Sequence, residues 1–186
     1  MQAMERRAFM KGAGIGALAF TVGGVEVLLT TREAWAQGVP LRTLTAEQAA
    51  TLAALGETLV PSARDAGIVN FVDQQISIPA EEALLQARIF NVRPPFANFY
   101  RAAIGAVDNN SEKVTGRKFA ALSTTEQRDF VNNMRQNKIE GWTGPSGGFV
   151  YTILRSDAVD VVYGTMEGYA ALGIPYQAHI VPTKRW

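Results

Sequence analysis

Residues 96–107, FANFYRAAIGAV, decide the fold class. Apolar side chains recur in this segment at steps of three and four: Phe96, Phe99, Tyr100, Ala103, Ile104 and Val107. That spacing places all of them on one side of a helix. The segment therefore predicts an amphipathic helix that packs on a core, and we expect the polar run at residues 108–110 to end it.

Helix start and stop signals occur on both sides of this segment. Thr45 is followed three residues later by Gln48, and Ser123 by Glu126, which are two capping boxes. Pro61 stops the helix that begins at the first box. These signals predict helices that begin near residues 46 and 124.

Further helices are predicted in the rest of the chain. Pro79, followed by two glutamates, is typical of a first helical turn. Ser156 and Asp157 predict a break or a fresh start inside the last long helix. No long run alternates apolar and polar residues, and no Asn-Gly or Asp-Gly hairpin turn joins two strand-like runs. The sequence therefore predicts an all-α fold, an irregular bundle of about five to seven helices with an irregular C-terminal tail.

The N-terminus carries the features of an export signal. Arg6 and Arg7 are adjacent and are followed by Phe9 and Lys11, and residues 12–25 carry no charge. A charged region before an apolar region is typical of a secretory signal, and paired arginines favour the twin-arginine route, which carries folded proteins. This predicts a periplasmic location.

Small residues at Ala34 and Ala36 predict signal cleavage before Gln37. The alternative is a retained membrane anchor, but the uncharged run at residues 12–25 is shorter than the roughly 20 apolar residues that a spanning helix needs. We therefore divide the chain into a twin-arginine signal peptide at 1–36 and a single helical domain at 37–186.

Composition excludes several classes of site. The chain has no cysteine and one histidine, so it contains no disulfide, no thiolate metal site and no covalent haem attachment. Removing the predicted signal takes away four of 18 basic and three of 17 acidic residues, which leaves 14 of each sign. A neutral domain without a basic cluster does not indicate nucleic-acid binding.

The sequence shows no convincing catalytic constellation. Asp157 and Asp160 lie three residues apart and can share a helix face, and either can be paired with His179 as an acid–base group. The simpler interpretation is that the carboxylates cap or solvate a helix and that the histidine packs in a core or an interface.

The C-terminal region instead suggests an interface. It combines aromatic residues, glycine and proline without a helical period, and interfaces favour aromatic and arginine anchors. The candidate interface residues are Tyr163, Tyr169, Tyr176, His179, Arg185 and Trp186, with Trp142 in a glycine-rich loop as a second candidate. The alternative is that this tail closes the protein's own core.

Several of these segments together form a family pattern. They are Arg6-Arg7, residues 44–48 with Leu55, Leu59, Val60 and Pro61, residues 119–123 with Glu126 and Gln127, and the C-terminal set 161–164, 167–169, Leu172, Gly173, Pro175 and His179. With them the chain resembles the gluconate 2-dehydrogenase subunit 3 family. The resemblance covers most of the predicted mature chain and consists of packing and turn patterns, with no catalytic fingerprint.

The resemblance implies a non-catalytic small subunit with no cofactor of its own. Its partner would be a flavin-dependent dehydrogenase of the glucose-methanol-choline type that holds FAD and oxidises a sugar, sugar acid or polyol. A cytochrome c subunit with haem c would accept the electrons and hold the complex at the membrane. The small subunit would supply the signal for the twin-arginine translocase and stabilise the catalytic subunit.

Two other functions stay open at this point. One is a free-standing periplasmic helical domain that binds a small ligand in an enclosed pocket. The other is an enzyme that uses Asp157, Asp160 and His179, which predicts activity from the purified chain alone.

Overall fold

A computed structural model describes residues 16–174 of the chain. These residues form eight α-helices, one 3-10 turn and a two-stranded hairpin, which confirms the all-α prediction. In chain order the elements are β1 (Leu18–Val22), β2 (Val25–Leu29), α1 (Thr31–Ala36), α2 (Ala46–Leu59), α3 (Ile68–Gln75), α4 (Gln86–Ile89), α5 (Phe96–Thr115), the 3-10 turn (Phe119–Ala121), α6 (Thr124–Arg135), α7 (Gly147–Tyr163) and α8 (Met166–Ala171).

Helix α2 lies at the centre of the bundle. It contacts α3, α5, α6, α7 and the 3-10 turn, and its residues 51–56 are all buried. A helix that is apolar all round has to be covered on every side. Its small residues permit close approach, since a Cβ at Gly56 would lie 2.9 Å from the Ile68 side chain.

Both predicted capping boxes are present. The Thr45 hydroxyl accepts from the backbone N–H of Gln48, whose side chain accepts from the Thr45 N–H. Ser123 and Glu126 repeat this arrangement at the start of α6. The predicted starts of these two helices are therefore confirmed, because the caps are local interactions that need no tertiary partner.

The predicted end of α5 at residues 108–110 is wrong, because the helix continues to Thr115. Asp108 is buried and accepts hydrogen bonds from the Thr51 hydroxyl (2.7 Å) and the Phe119 backbone N–H (3.1 Å). Asn110 donates to the Thr143 carbonyl across a neighbouring loop. The Asp108 carboxylate is held by tertiary partners, and Asn110 also donates to the Ala106 carbonyl one turn back in the same helix, so neither side chain ends the helix.

Two other boundaries differ from the predictions. Helix α7 runs without a break through Ser156 and Asp157, because Asp157 bonds to other elements and does not cap its own helix. The helix predicted to begin at Pro79 is absent. The chain makes turns there and becomes helical only at Gln86–Ile89.

The hairpin lies inside the segment that was predicted to be the export signal. Its strands pair antiparallel, with Leu18 opposite Leu29 and Val22 opposite Val25. Gly23 and Gly24, both at positive φ, form the two-residue turn. Gly-Gly is also a hairpin signal, in addition to Asn-Gly and Asp-Gly, so this turn is visible in the sequence. Within residues 16–174, no helix is both long and apolar enough to span a bilayer.

Candidate partner-binding surface

Two of the predicted interface residues lie at the C-terminal end of α7. Tyr163 is the last residue of that helix and packs half-buried against the core. Tyr169 is half-buried in α8, which folds back on the end of α7. The return is tight, because a Cβ at Gly168 would lie 2.4 Å from the Val162 carbonyl oxygen. The structure therefore brings the two tyrosines to one corner of the bundle.

Trp142 lies at the other end of α7. Its indole Nε1 donates to the Pro145 carbonyl oxygen (2.8 Å), and its ring centroid is 6.3 Å from that of Phe130. The 17 residues of α7 span about 25 Å between this loop and Tyr163. The two candidate interface sites are therefore separate, and Trp142 contributes to the packing of its own loop.

The remaining candidates fall outside the described residues. They are the interface residues Tyr176, His179, Arg185 and Trp186 and the export residues Arg6, Arg7, Phe9 and Lys11. Their assigned roles stay predictions.

An exposed apolar set that was not among the candidate interface residues lies on α4 and on the residues that flank it. Leu84 and Ile89 are 60% and 67% exposed, and Phe90 is 40% exposed. A helix that began at Pro79 would place Leu84, Leu85 and Ile89 together on one apolar side. Only Leu85 is buried, because the helix is too short to set a single buried stripe.

Helix α4 runs antiparallel beside α7. At one end the Gln86 backbone N–H donates to Asp157 (2.9 Å) and the Gln86 side chain donates to Asp160 (2.5 Å). At the other end the Phe90 ring meets the Phe149 ring edge-to-face at 6.4 Å. The exposed side chains of α4 therefore lie along the flank of α7.

A second exposed apolar set follows the end of α7. Met166, Leu172 and Ile174 are each about half exposed, on α8 and directly after it. We name these three residues together with Leu84, Ile89 and Phe90 the apolar flank. Leu84-Leu85 and Ile89-Phe90 were visible in the sequence as apolar pairs, but one sequence does not distinguish an interface face from a core face.

Asp157 and Asp160, the carboxylates of the enzyme hypothesis, form hydrogen bonds within the fold. Asp157 and Asp160 share one face of α7, as expected, and that face is turned toward Gln86. Asp157 is 0% exposed and accepts hydrogen bonds from the Tyr100 hydroxyl (2.5 Å) and the Gln86 N–H. A carboxylate enclosed in this way has no path to a substrate.

Burial also shifts the pKa values of the Asp157 carboxyl group and the Tyr100 hydroxyl group. Burial raises the pKa of Asp157 to about 7, although the hydrogen bonds from Tyr100 and Gln86 oppose the shift. Burial and the neighbouring Asp157 raise the pKa of Tyr100 far above its ordinary value. Such shifts also occur at catalytic sites, but this pair faces the bundle interior.

The small-ligand hypothesis has a cavity to consider. A cavity of about 310 Å³ is lined by Gln75, Ile76, Ile78, Ala80, Pro94, Pro95 and Phe96. The Gln75 carboxamide is engaged already, because its oxygen accepts from the Leu84 N–H and its nitrogen donates to Gln74. The cavity therefore offers mainly apolar contact. No group of three His, Cys, Asp or Glu residues suited to a metal ion occurs among residues 16–174.

The predicted cleavage residues lie in a folded element. Ala34 and Ala36 belong to α1, and Ala34 is 0% exposed. Cleavage before Gln37 stays a prediction.

The family model for gluconate 2-dehydrogenase subunit 3 matches residues 46–179. The chain belongs to this family. The match begins at the first residue of α2 and includes α8, so it contains helices α2 to α8 and all six residues of the apolar flank. The hairpin and α1 precede it. The name of the gluconate 2-dehydrogenase subunit 3 family denotes a subunit of a dehydrogenase complex. Neither the search of curated proteins nor the search of solved structures returned a match.

Proposed function

We propose that this chain is the non-catalytic small subunit of a periplasmic flavin-dependent dehydrogenase that acts on a sugar, sugar acid or polyol. It supplies the twin-arginine signal that exports the complex and stabilises the catalytic subunit. FAD belongs to that catalytic subunit, of the glucose-methanol-choline type, and haem c to a cytochrome c subunit that accepts the electrons.

The apolar flank is the observation that carries this proposal. Three large apolar side chains of one short segment are 40–67% exposed, and three more follow the end of the adjacent helix. Exposed large apolar side chains grouped on one short segment are typical of an interaction site. Family membership supports a partner within a dehydrogenase complex, since the family name denotes one subunit among others.

The aromatic residues beside the flank extend the proposed interface. Tyr163 and Tyr169 lie at the corner where α7 meets α8, next to Met166. An interface typically has a few buried aromatic anchors inside a polar rim. Tyr176, His179, Arg185 and Trp186 follow in sequence and are our further candidates for this interface.

A charge-introducing substitution on the flank tests the proposal. Ile89→Lys places an ammonium group at the last residue of α4. A positive charge is favourable at the C-terminal end of a helix, so the substitution should not disturb the subunit on its own. Val114→Lys is the matched control, because Val114 is 53% exposed and also lies in the last turn of a helix, away from the flank. Burying an unpaired charge in an interface is strongly unfavourable.

The measurement is co-purification of the catalytic subunit with the tagged full chain, recorded by flavin absorbance and by dye-linked dehydrogenase activity. We expect Ile89→Lys to weaken the complex about tenfold or more, equivalent to about 1.4 kcal/mol, and Val114→Lys to leave it intact. Unchanged co-purification of both variants would show that the apolar flank is not part of the interface. A colourless chain that purifies as a stable monomer would instead favour the free-standing ligand-binding domain.

A further inference from the structure

The segment before the family match packs as part of the protein body. Phe20, Ala34 and Val39 form a small buried cluster with Leu18, Val27 and Leu29 around them. The cluster contains residues from both strands and from α1, and Val39 from the segment that follows α1. It therefore joins the hairpin and α1 into one unit that continues into the bundle.

Direct contacts attach this unit to the bundle. The Thr31 hydroxyl donates to the Ala66 carbonyl oxygen at 2.7 Å, in a buried position. The Gln74 side chain donates to the Ala19 carbonyl oxygen at 3.4 Å. Both bonds span more than 30 residues of sequence, so they report tertiary packing.

At Gly67 the backbone of the bundle comes very close to the backbone of α1. Its φ is +85°, and a Cβ at this position would lie 2.0 Å from the Thr31 carbonyl oxygen. The residue before α3 is therefore fitted to the backbone of α1, since any side chain would push α1 away.

Helix α3 shows what this unit covers. All eight residues of Ile68–Gln75 are buried, including Asn70, Asp73, Gln74 and Gln75. A helix with this polar content normally keeps one side in water. Helix α1 packs on α3 and the hairpin reaches Gln74, so removal of residues 1–36 would uncover part of α3.

We propose that residues 18–39 are a permanent part of the exported subunit, and that any processing of the signal takes place before Leu18. A peptidase needs its site locally unfolded, whereas Ala34 is enclosed and α1 is held by a complete capping box between Thr30 and Glu33. Export in the folded state, which our proposed function includes, would present the site closed. The packing itself does not depend on which partner the subunit binds.

The first test is the intact mass of the full chain recovered from the periplasm of cells that also make the catalytic subunit. We expect a chain that contains residues 18–39. A chain that begins at Gln37 would overturn the proposal.

The second test is the stability of the exported protein, measured by thermal unfolding. Thr31→Val removes the buried donor to Ala66, and the matched control Thr124→Val alters the equivalent first position of α6, where the side chain is exposed. We expect Thr31→Val to lower Tm by about 3 °C or more and the control to change it little. Equal Tm values for the two variants would mean that the segment is absent.

A glycine pair gives an independent measurement. Gly67→Ala and Gly116→Ala both place alanine at positive φ, but nothing lies within 4 Å of a Cβ at Gly116. We expect Gly67→Ala to lower Tm further than Gly116→Ala, because only Gly67 touches α1. The same fall in both variants would overturn the proposal. Failure of the Ile89→Lys test would not affect these results, so the two proposals fail separately.

Discussion

The Tyr100 hydroxyl donates a hydrogen bond of 2.5 Å to the Asp157 carboxylate, and both residues are fully buried. The bond joins α5 to α7, and Asp157 joins α7 to α4 through the Gln86 N–H. One carboxylate therefore fixes the three helices beside which the apolar flank lies.

Tyr100→Phe removes the hydroxyl and leaves Asp157 with one fewer donor. Because the site is closed to water, we expect the free energy of unfolding to fall by about 1–3 kcal/mol. Urea denaturation of the full chain measures this. Tyr151→Phe, at a partly exposed position of α7, the helix that carries Asp157, is the control and should change stability little. Equal effects of the two variants would contradict the assigned role of the bond.

Asp157 predicts a pH dependence of stability. Burial raises its folded pKa to about 7 from an ordinary value of 3.8. Between these values the folded chain keeps a proton that the unfolded chain has released, so stability falls as pH rises toward 7. The slope has a limit of about 1.4 kcal/mol per pH unit for one proton.

Asp157→Asn should flatten that slope, because the side chain no longer titrates. Unfolding at several pH values between 5 and 8 makes the comparison. The capping residue Glu126 does not contribute to the slope between pH 5 and 8. Hydrogen bonds from Ser123 lower its pKa to about 2, so its titration affects stability only at lower pH. An unchanged slope in the variant would assign the pH dependence to another group.

Asp73 predicts a larger loss of stability. Its carboxylate accepts three backbone hydrogen bonds of 2.7–2.9 Å, from the N–H groups of Arg42, Thr43 and Leu44. Asp73→Ala leaves these donors unpaired next to the core, and we expect a loss of about 3 kcal/mol or more. Asp129→Ala, at an exposed position on α6, is the control. A small effect at Asp73 would show that water replaces the carboxylate.

The paired arginines predict the export of two proteins at once. Replacing Arg6 and Arg7 together by lysine should leave both this chain and the catalytic subunit in the cytoplasm, because in the function we propose the catalytic subunit is exported by this signal. Cell fractionation with activity assays measures the distribution. Arg32→Lys, outside the pair, is the control. A catalytic subunit that still reaches the periplasm would show that it has its own route.

The sequence by itself determined the helical class and the helices whose ends are capped locally. Thr45 with Gln48 and Ser123 with Glu126 need only residues within one turn, so their pattern was sufficient. The spacing of apolar residues in 96–107 likewise fixed the buried side of α5, where Tyr100, Ala103, Ile104 and Val107 are all buried. The family could also be recognised from its packing pattern.

Only the tertiary structure decided the roles of polar residues within helices and of apolar residues at the surface. Asp108 and Asp157 looked like helix ends, yet each is held by donors from distant parts of the chain. Ile89 looked like core, yet it is exposed because α4 is only one turn long. Ala34 and Ala36 match a cleavage site in sequence, and only the structure shows that Ala34 is buried in α1 and that Thr31 bonds to Ala66; cleavage before Gln37 stays a prediction. These outcomes depend on contacts between residues far apart in sequence, which periodicity and local caps do not encode.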